Sequence, residues 1–305
     1  MRISTAYQFD TYANNVRLSE LKYFDAQNAV MTGRRINKIS DDPFGTSVSL
    51  NMRSFKAAAN QYKANLTIGK GVLSYSESAL DEMTTAMRSA YSVAIQAGTD
   101  TMDQAARDAL ASQIDSLQKQ LLELANTRGP SGQYIFAGQA NDNKPFTVTA
   151  TPGNNPLTLT SGMYLNYNGD DLDVTVESGP GQTLAVNVKA QNLIKDAYAA
   201  LDQLKVDLQG GNVSAISGVD IEKVKNAMNA IVKERGNVGT KLHSVATLTD
   251  HYTRRIDDLT KTISDVEEVD LSEAIMNYKL AYNAYNAALS VASQGYQLSL
   301  LDFIQ

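Results

Sequence analysis

The sequence predicts a mainly α fold: an elongated antiparallel coiled-coil or helical bundle assembled from the N- and C-terminal halves, carrying a small antiparallel β insertion. Three observations lead there. Long stretches place apolar residues at alternating steps of three and four, the spacing of a seam that packs on another helix. Residues 134–190 abandon that spacing for short alternating runs broken by Gly, Pro, Asn and Asp. The composition is 43% hydrophobic but only 7% aromatic, with no Trp and 6 Pro, which favours long helices over a large sheet.

The first stripe is Phe9, Tyr12, Val16, Ser19, Tyr23, Ala26 and Val30. It stops before Asp41-Asp42-Pro43, where Pro disfavours helix in the residue before it. Ser40 and Asp41 read as caps for a helix beginning near Pro43. From Val48 a second seam runs through Met52, Phe55, Ala59, Tyr62, Leu66, Gly69, Leu73, Ser76, Leu80, Met83, Met87, Ala90 and Ala94 to Ala97. At the rise of an α-helix it is about 75 Å long.

A third seam joins Leu110, Ile114, Leu117, Leu121 and Leu124 and ends at Gly129-Pro130. After the insertion, Ile194, Ala197, Leu201, Leu204 and Leu208 lead to a stop at Gly210-Gly211. Ile221, Val224, Met228, Ile231, Arg235, Val238, Leu242, Val245, Thr249, Tyr252, Ile256, Leu259, Ile263 and Val266 make the longest C-terminal seam, with Arg235 and Thr249 as polar register markers.

That seam cannot continue in phase to Leu271, so the register slips across SDVEEVDLS. Beyond it, Leu271, Ile275, Tyr278, Tyr282, Tyr285, Leu289, Ala292, Tyr296, Ser299 and Phe303 form a last stripe, with Leu300 and Leu301 in the apolar tip SLLDFIQ. The expected organisation is a terminal pair (1–40 with 270–305), a bundle (41–133 with 191–269) and the insertion (134–190). A two-helix pair leaves much of each stripe wet and is marginal alone. Phe9, Tyr12, Val16, Tyr23, Val30, Leu271, Ile275, Tyr278, Tyr282, Tyr285, Leu289, Tyr296, Leu300, Leu301 and Phe303 are therefore expected to form an assembly interface.

Several chemistries find no support. A net charge of -6, with no basic run longer than Arg34-Arg35, argues against nucleic-acid binding. Zero Cys excludes disulfides and thiolate metal sites. His243 and His251 lie two helical turns apart, about 12 Å, too far to share a metal, and flank the seam as solvated positions. GNVGTK, residues 236–241, lacks the Lys of a phosphate loop and sits inside a helical seam. Asp41-Asp42 and Glu267-Glu268 have no accompanying nucleophile, so helix-end electrostatics explains them better than acid–base catalysis. No cofactor and no enzymatic activity are expected; a helical hydrolase or secreted effector is the rival from another class. The N-terminus lacks a signal-peptide core and no 18-residue apolar run exists, so membrane insertion is not expected and any export uses another route.

Two segments carry a family resemblance. GRRINKISDDPFG, with Arg35, Ile36, Asn37, Asp41, Asp42 and Pro43, resembles the N-terminal signature of the bacterial flagellin-like axial proteins. DLSEAIMNYKLAYNAYNAALSVASQGYQLSLLDFI resembles their C-terminal signature. Within the family, QAGTDTMDQAARDALASQIDSLQKQLLELANT followed by GQYIFAGQANDNKPF, and YNGDDLDVTVESGPGQTLAVNV, resemble the hook-filament junction members more than the filament-forming ones. His243 stands where Asn is usual.

The resemblance implies a structural adaptor in the extracellular bacterial flagellum, exported by the flagellar type III apparatus without a cleaved signal peptide. It implies four partners: the first hook-associated protein, flagellin, neighbouring copies of the chain, and an export chaperone. The alternative within the family is a short flagellin that builds the filament itself.

Overall fold

The computed structural model describes residues 5–99 and 102–303. Its helices are α1 (Thr5–Thr32), α2 (Pro43–Ala97), α3 (Gln104–Ala125), α4 (Gln191–Gly210), a single turn α5 (Val213–Ala215), α6 (Ile221–Glu267) and α7 (Leu271–Phe303). A five-residue π turn, Ile216–Asp220, leads from α5 into α6. The strands are β1 (Phe146–Thr149), β2 (Leu157–Thr158), β3 (Tyr164–Tyr167), β4 (Thr175–Gly179) and β5 (Gln182–Ala185). Mainly α with a small antiparallel β insertion is the architecture observed. The chain forms two compact units, one running through Ala58 and resuming at Arg254, the other Ala59–Thr253.

The second unit holds the core. Leu66, Leu73, Leu80, Met83, Met87, Ala90, Ala94 and Ala97 of α2 are buried, as are Ile114 and Leu121 of α3, Ile194, Leu201, Leu204 and Leu208 of α4, and Val224, Ile231, Val238 and Val245 of α6. These are the seam positions; most are large and apolar because a dry interior gains most from them, and the last turns of α2 use alanine instead. α3 pairs with α4. Gly211 ends α4 in the left-handed conformation at φ 68°. Arg235 reaches across to α2, where Glu77 Oε1 accepts at 2.8 Å and Asp81 supplies a second carboxylate. Thr249 instead spends its hydroxyl on its own helix, donating to Val245 O at 2.7 Å, so it marks no register.

The insertion consists of two small sheets: a three-stranded one of order β1-β3-β2, and the β4–β5 hairpin with a bulge between Glu177 and Gly179. It is fastened to helices by both apolar and polar contacts. Phe146 and Tyr167 are buried, their rings tilted at 42° with centroids 4.9 Å apart. Lys195 Nζ of α4 donates to Asn155 O at 2.7 Å, and Ser161 N donates to Asp202 Oδ2 at 2.9 Å. Tyr252 of α6 donates to Ser178 O at 2.7 Å. Gly69 is glycine for a packing reason: a Cβ there would meet Val186 Cγ1 at 2.7 Å.

In the first unit, α1 pairs with α7. α1 stops at Thr32, with Gly33 left-handed at φ 68°. α6 stops at Glu267, and Asp270 caps α7 by accepting from Ser272 N at 2.7 Å.

Candidate assembly surface at the chain ends

The α1 stripe faces α7 in the phase the sequence predicts: Tyr12, Val16, Ser19, Tyr23, Ala26 and Val30 are half-buried, as is Phe9. Tyr23 is the centre of the contact. Its ring stacks on Tyr285 at 5.8 Å with an interplanar angle of 5°, and lies 5.6 Å from Tyr278 and 5.7 Å from Tyr282. A hydrogen bond with Tyr278, followed by desolvation, raises the Tyr23 hydroxyl above the usual tyrosine range.

On α7 the inward positions differ from the predicted stripe. Ala274 and Ala292 are buried, and Tyr278, Ala281, Tyr285 and Ala288 are half-buried. Leu271, Ile275, Tyr282 and Leu289 are exposed, at 55, 39, 46 and 41%. The seam runs through alanines because small side chains let the helix backbones approach, and the larger apolar residues are turned out beside it. Tyr296, Leu300, Leu301 and Phe303 have side chains outside the described residues.

Sequence reasoning missed a second exposed set. Tyr7, Leu18, Leu21, Phe24 and Met31 on α1, and Met276, Leu280 and Val291 on α7, are exposed. On a helical wheel, Tyr7, Leu18 and Leu21 lie roughly opposite the α1 seam, Met276 and Leu280 lie on the far side of the α7 seam, and Val291 lies on its flank, at about 100° per residue. Each helix thus sets exposed apolar residues among polar ones, such as Asn14 and Arg17 on α1 and Asn283 on α7, on the side away from its seam. The missed signal was apolar residues off the three-four spacing; a soluble surface helix puts charge there.

Where the two chain breaks meet, Arg35 N donates to Glu267 O at 2.7 Å and Val269 N to Gly33 O at 3.1 Å, a short antiparallel bridge. Arg35 also donates to Asp42 Oδ2 at 3.3 Å and to Val266 O at 3.0 Å. Asn37 Nδ2 donates to Arg34 O at 2.9 Å, and Ile36 is buried beneath. Asp41 Oδ2 accepts from Asn37 N at 3.0 Å and Lys38 N at 2.8 Å. Asp42, the residue before Pro43, accepts from Gly45 N at 2.8 Å. The predicted caps Ser40 and Asp41 are therefore corrected to Asp42: Pro43 takes the first helical position, so the residue just before it reaches the third amide. Asp41 closes the preceding turn instead.

Glu267, buried at 8% exposure, is the hub of this crossing. Arg53 Nη2 donates to it at 2.6 Å and Arg53 Nε at 3.0 Å, the Ser49 hydroxyl donates to Oε1, and Arg34 lies 3.9 Å away. The Arg53 hydrogen bonds, chiefly, hold the Glu267 carboxyl below the usual range, and in return Arg53 is raised. Asp41 and Asp42 are lowered as well, first by the backbone amides of Lys38 and Gly45 respectively. Sequence showed the acidic residues at both breaks but not that one of them joins the two, since their separation along the chain exceeds 200 residues.

His243 and His251 lie exposed on α6, and residues 236–241 are helical throughout. Among the described residues no helix is long and apolar enough to cross a membrane.

Comparison with known proteins places this geometry. Residues 3–141 match the bacterial flagellin N-terminal helical region and residues 221–304 the bacterial flagellin C-terminal helical region, together more than half of the chain. Flagellar hook-associated protein 3 of Escherichia coli is 26% identical over 98% of both chains. Flagellin A of Helicobacter mustelae is 28% identical, but over 71% of this chain and 41% of that protein. A solved putative flagellar hook-associated protein from Vibrio parahaemolyticus has the same fold, with TM-score 0.65 and 18% identity over 75% of this chain and all of that one. The flagellar junction protein FlgL from Legionella pneumophila gives TM-score 0.59 and 13% identity over 72% of this chain and 100% of that one. The flagellar filament 41 kDa core protein of Borreliella burgdorferi is 20% identical over 90% of this chain and 92% of that protein, against 26% over 98% of both for the hook-associated protein. The chain belongs to the bacterial flagellin-like family.

Proposed function

We propose that this chain is a structural adaptor of the bacterial flagellum, forming the layer between the first hook-associated protein and the flagellin filament. The observation that carries the reading is the set of apolar residues exposed on both outer sides of the α1–α7 pair. Leu18 and Leu21 behind α1, with Met276 and Leu280 behind α7 and Val291 on its flank, are open to water in a single copy. Burying each such side chain is worth about 1.5–3 kcal/mol, so the surface calls for a cover.

The back of α1 and the back of α7 are different surfaces. Contact between one copy's α7 and the next copy's α1 is heterologous, the kind that generates a ring or helical layer. Neighbouring copies, the first hook-associated protein below and flagellin above are the covers proposed. Before assembly an export chaperone holds the C-terminal segment, and the chain leaves by the flagellar type III route. The bounds 1–40, 41–133, 134–190, 191–269 and 270–305 are proposed as its working divisions, with the terminal pair completed on docking and the family-motif residues setting its angle. The assembly interface proposed includes Phe9, Tyr12, Val16, Tyr23, Val30, Leu271, Ile275, Tyr278, Tyr282, Tyr285 and Leu289, and the back residues above.

Leu280→Asp tests this. It places a charge on the outward face and leaves the α1 contact untouched, so the purified chain is expected to keep its helix content while cells carrying it shed unattached filament protein. Normal filament attachment in that variant would reject the surface as an interface. The higher full-length identity to hook-associated protein 3 than to the filament core protein favours the junction over a short flagellin. Purified chain added to filament ends should stop after a short layer, and unlimited elongation would favour the flagellin reading.

A further inference from the structure

At the α4–α6 corner two acidic side chains are buried together. Asp207, in the last turn of α4, is 9% exposed, and Asp220, the last residue of the π turn, is 1% exposed. The π turn packs on α4, and hydrogen bonding with Asp207 is among the influences that raise the Asp220 carboxyl. Both oxygens of Asp207 already have donors: Gln203 Nε2 donates to Oδ2 at 2.5 Å and Asn212 Nδ2 donates to Oδ1 at 3.2 Å. Asp220 Oδ2 is buried without a hydrogen-bond partner. Two ionised carboxylates cannot bond to each other, whereas a carboxylic acid can donate to a carboxylate. Both Asp207 oxygens are occupied as acceptors and Asp220 Oδ2 is not, which leaves Asp220 to carry the proton.

We propose that Asp207 and Asp220 share one proton and form an acid-strengthened clasp that holds the π turn Ile216–Asp220 against α4. The π geometry belongs to the same device. Its wider turn is uncommon and needs a local reason to persist, and here it ends on the residue that reaches Asp207.

Burial first, and then Asp207, push Asp220 up to about 6; Lys223, one turn into α6, opposes them. Asp207 and Lys223 are the charged groups acting on Asp220 among the described residues. Because the folded chain binds the proton more tightly than the unfolded chain, the clasp is complete in mild acid and weakens as pH rises through about 6. Above that, two buried carboxylates face each other. A divalent cation is a poor substitute for the proton, since the Asp207 oxygens are occupied by amide donors and one carboxylate, Asp220, supplies too few ligands.

Amide hydrogen exchange on the full chain, corrected for intrinsic rates, reads the clasp directly. Protection of residues 213–221 is expected to be about tenfold higher near pH 5 than near pH 7.5. Asp220→Asn keeps a donor facing Asp207 without a titrating proton, and should hold the acid-like protection at both pH values. Identical pH profiles in the variant and the parent chain would overturn the proposal. So would a carbon-13 titration of the parent chain that places the Asp220 carboxyl in the ordinary carboxylate range, a measurement that does not depend on the variant folding. Recovery of neutral-pH protection by added magnesium or calcium alone would replace the proton with a cation and likewise overturn it.

Discussion

The two compact units are built from the same helices' sequence grammar but spend it differently. In Ala59–Thr253 most of the fully buried seam residues are large and apolar, such as Leu66, Leu73, Leu80, Ile231 and Val238, and most polar groups that enter are paired, such as Lys195 on Asn155 O. In the unit of the chain ends, the seam is alanine and tyrosine, and the larger apolar residues face out. One interior is finished within a single copy. The other leaves apolar surface on its outside, and its most closely tied part is the polar crossing at Glu267. The contrast teaches that hydrophobicity in a helix does not say where the core is; the phase of the large residues does.

The sharpest way to break the comparison is to cut a large residue from each unit. Leu73→Ala or Leu80→Ala empties a fully buried site and should lower stability by about 2–5 kcal/mol, read in urea unfolding. Leu280→Ala, at an exposed site, should change it by about 0.5 kcal/mol or less while weakening assembly. Equal losses from both would erase the distinction drawn above.

A mid-sized effect is expected at Gly69. Alanine there drives a Cβ against the branched Val186 side chain, and β-branched residues have little room to turn away. The expected cost is about 1–3 kcal/mol, with Val186→Ala in the same chain restoring part of it.

Glu267→Gln tests the crossing and its pH dependence. The carboxyl is depressed, so its contribution is fully present above its usual value near 4.5 and disappears as pH falls through the lower folded value. Acid unfolding of the parent chain should show that loss below about pH 4.5, and the variant should lack it, with stability near neutral pH down by about 1–2 kcal/mol. Asp220 has the opposite sign: its protonation strengthens the fold, and that gain fades as pH rises from the usual carboxylate range to about 6. As pH falls, the second unit is therefore expected to gain through about 6, and the first to lose only below about 4.5.

How far the sequence reached follows the same division. The α2 and α6 seams were legible residue by residue because a helix with one dry face repeats its large residues at the packing period, and Leu66 to Ala97 and Val224 to Val245 do so. Phe55 continues that spacing but is exposed, since the seam of α2 dries only from Ala59 onward. The α1 stripe was legible for the same reason. On α7, large apolar residues occur on several faces, so choosing the row of leucines and tyrosines selected Leu271, Ile275 and Leu289 over Ala274, Ala281 and Ala288. Small residues carry close packing without standing out in a hydrophobic pattern. Asp207 with Asp220, and Glu267 with Arg53, are tertiary meetings that no local period encodes. The first also depends on a π turn, which has no sequence signature of its own.

The smallest expected effect concerns register. Arg235 pairs with Glu77 at 2.8 Å and with Asp81, yet all three side chains are a third or more exposed. Exposed ion pairs contribute about 0–1 kcal/mol, and even a forked arginine stays near the top of that range here. Arg235→Leu should therefore cost about 1 kcal/mol or less. If charge sets the register of α6 on α2, the variant should lose its single set of side-chain NMR signals around Val238 and Ile231. If the interlocking aliphatics set it, those signals stay single and only the salt dependence of stability falls. The second outcome is expected, because slipping α6 would expose Ile231, Val238 and Val245 together, a cost several times larger than the ion pair.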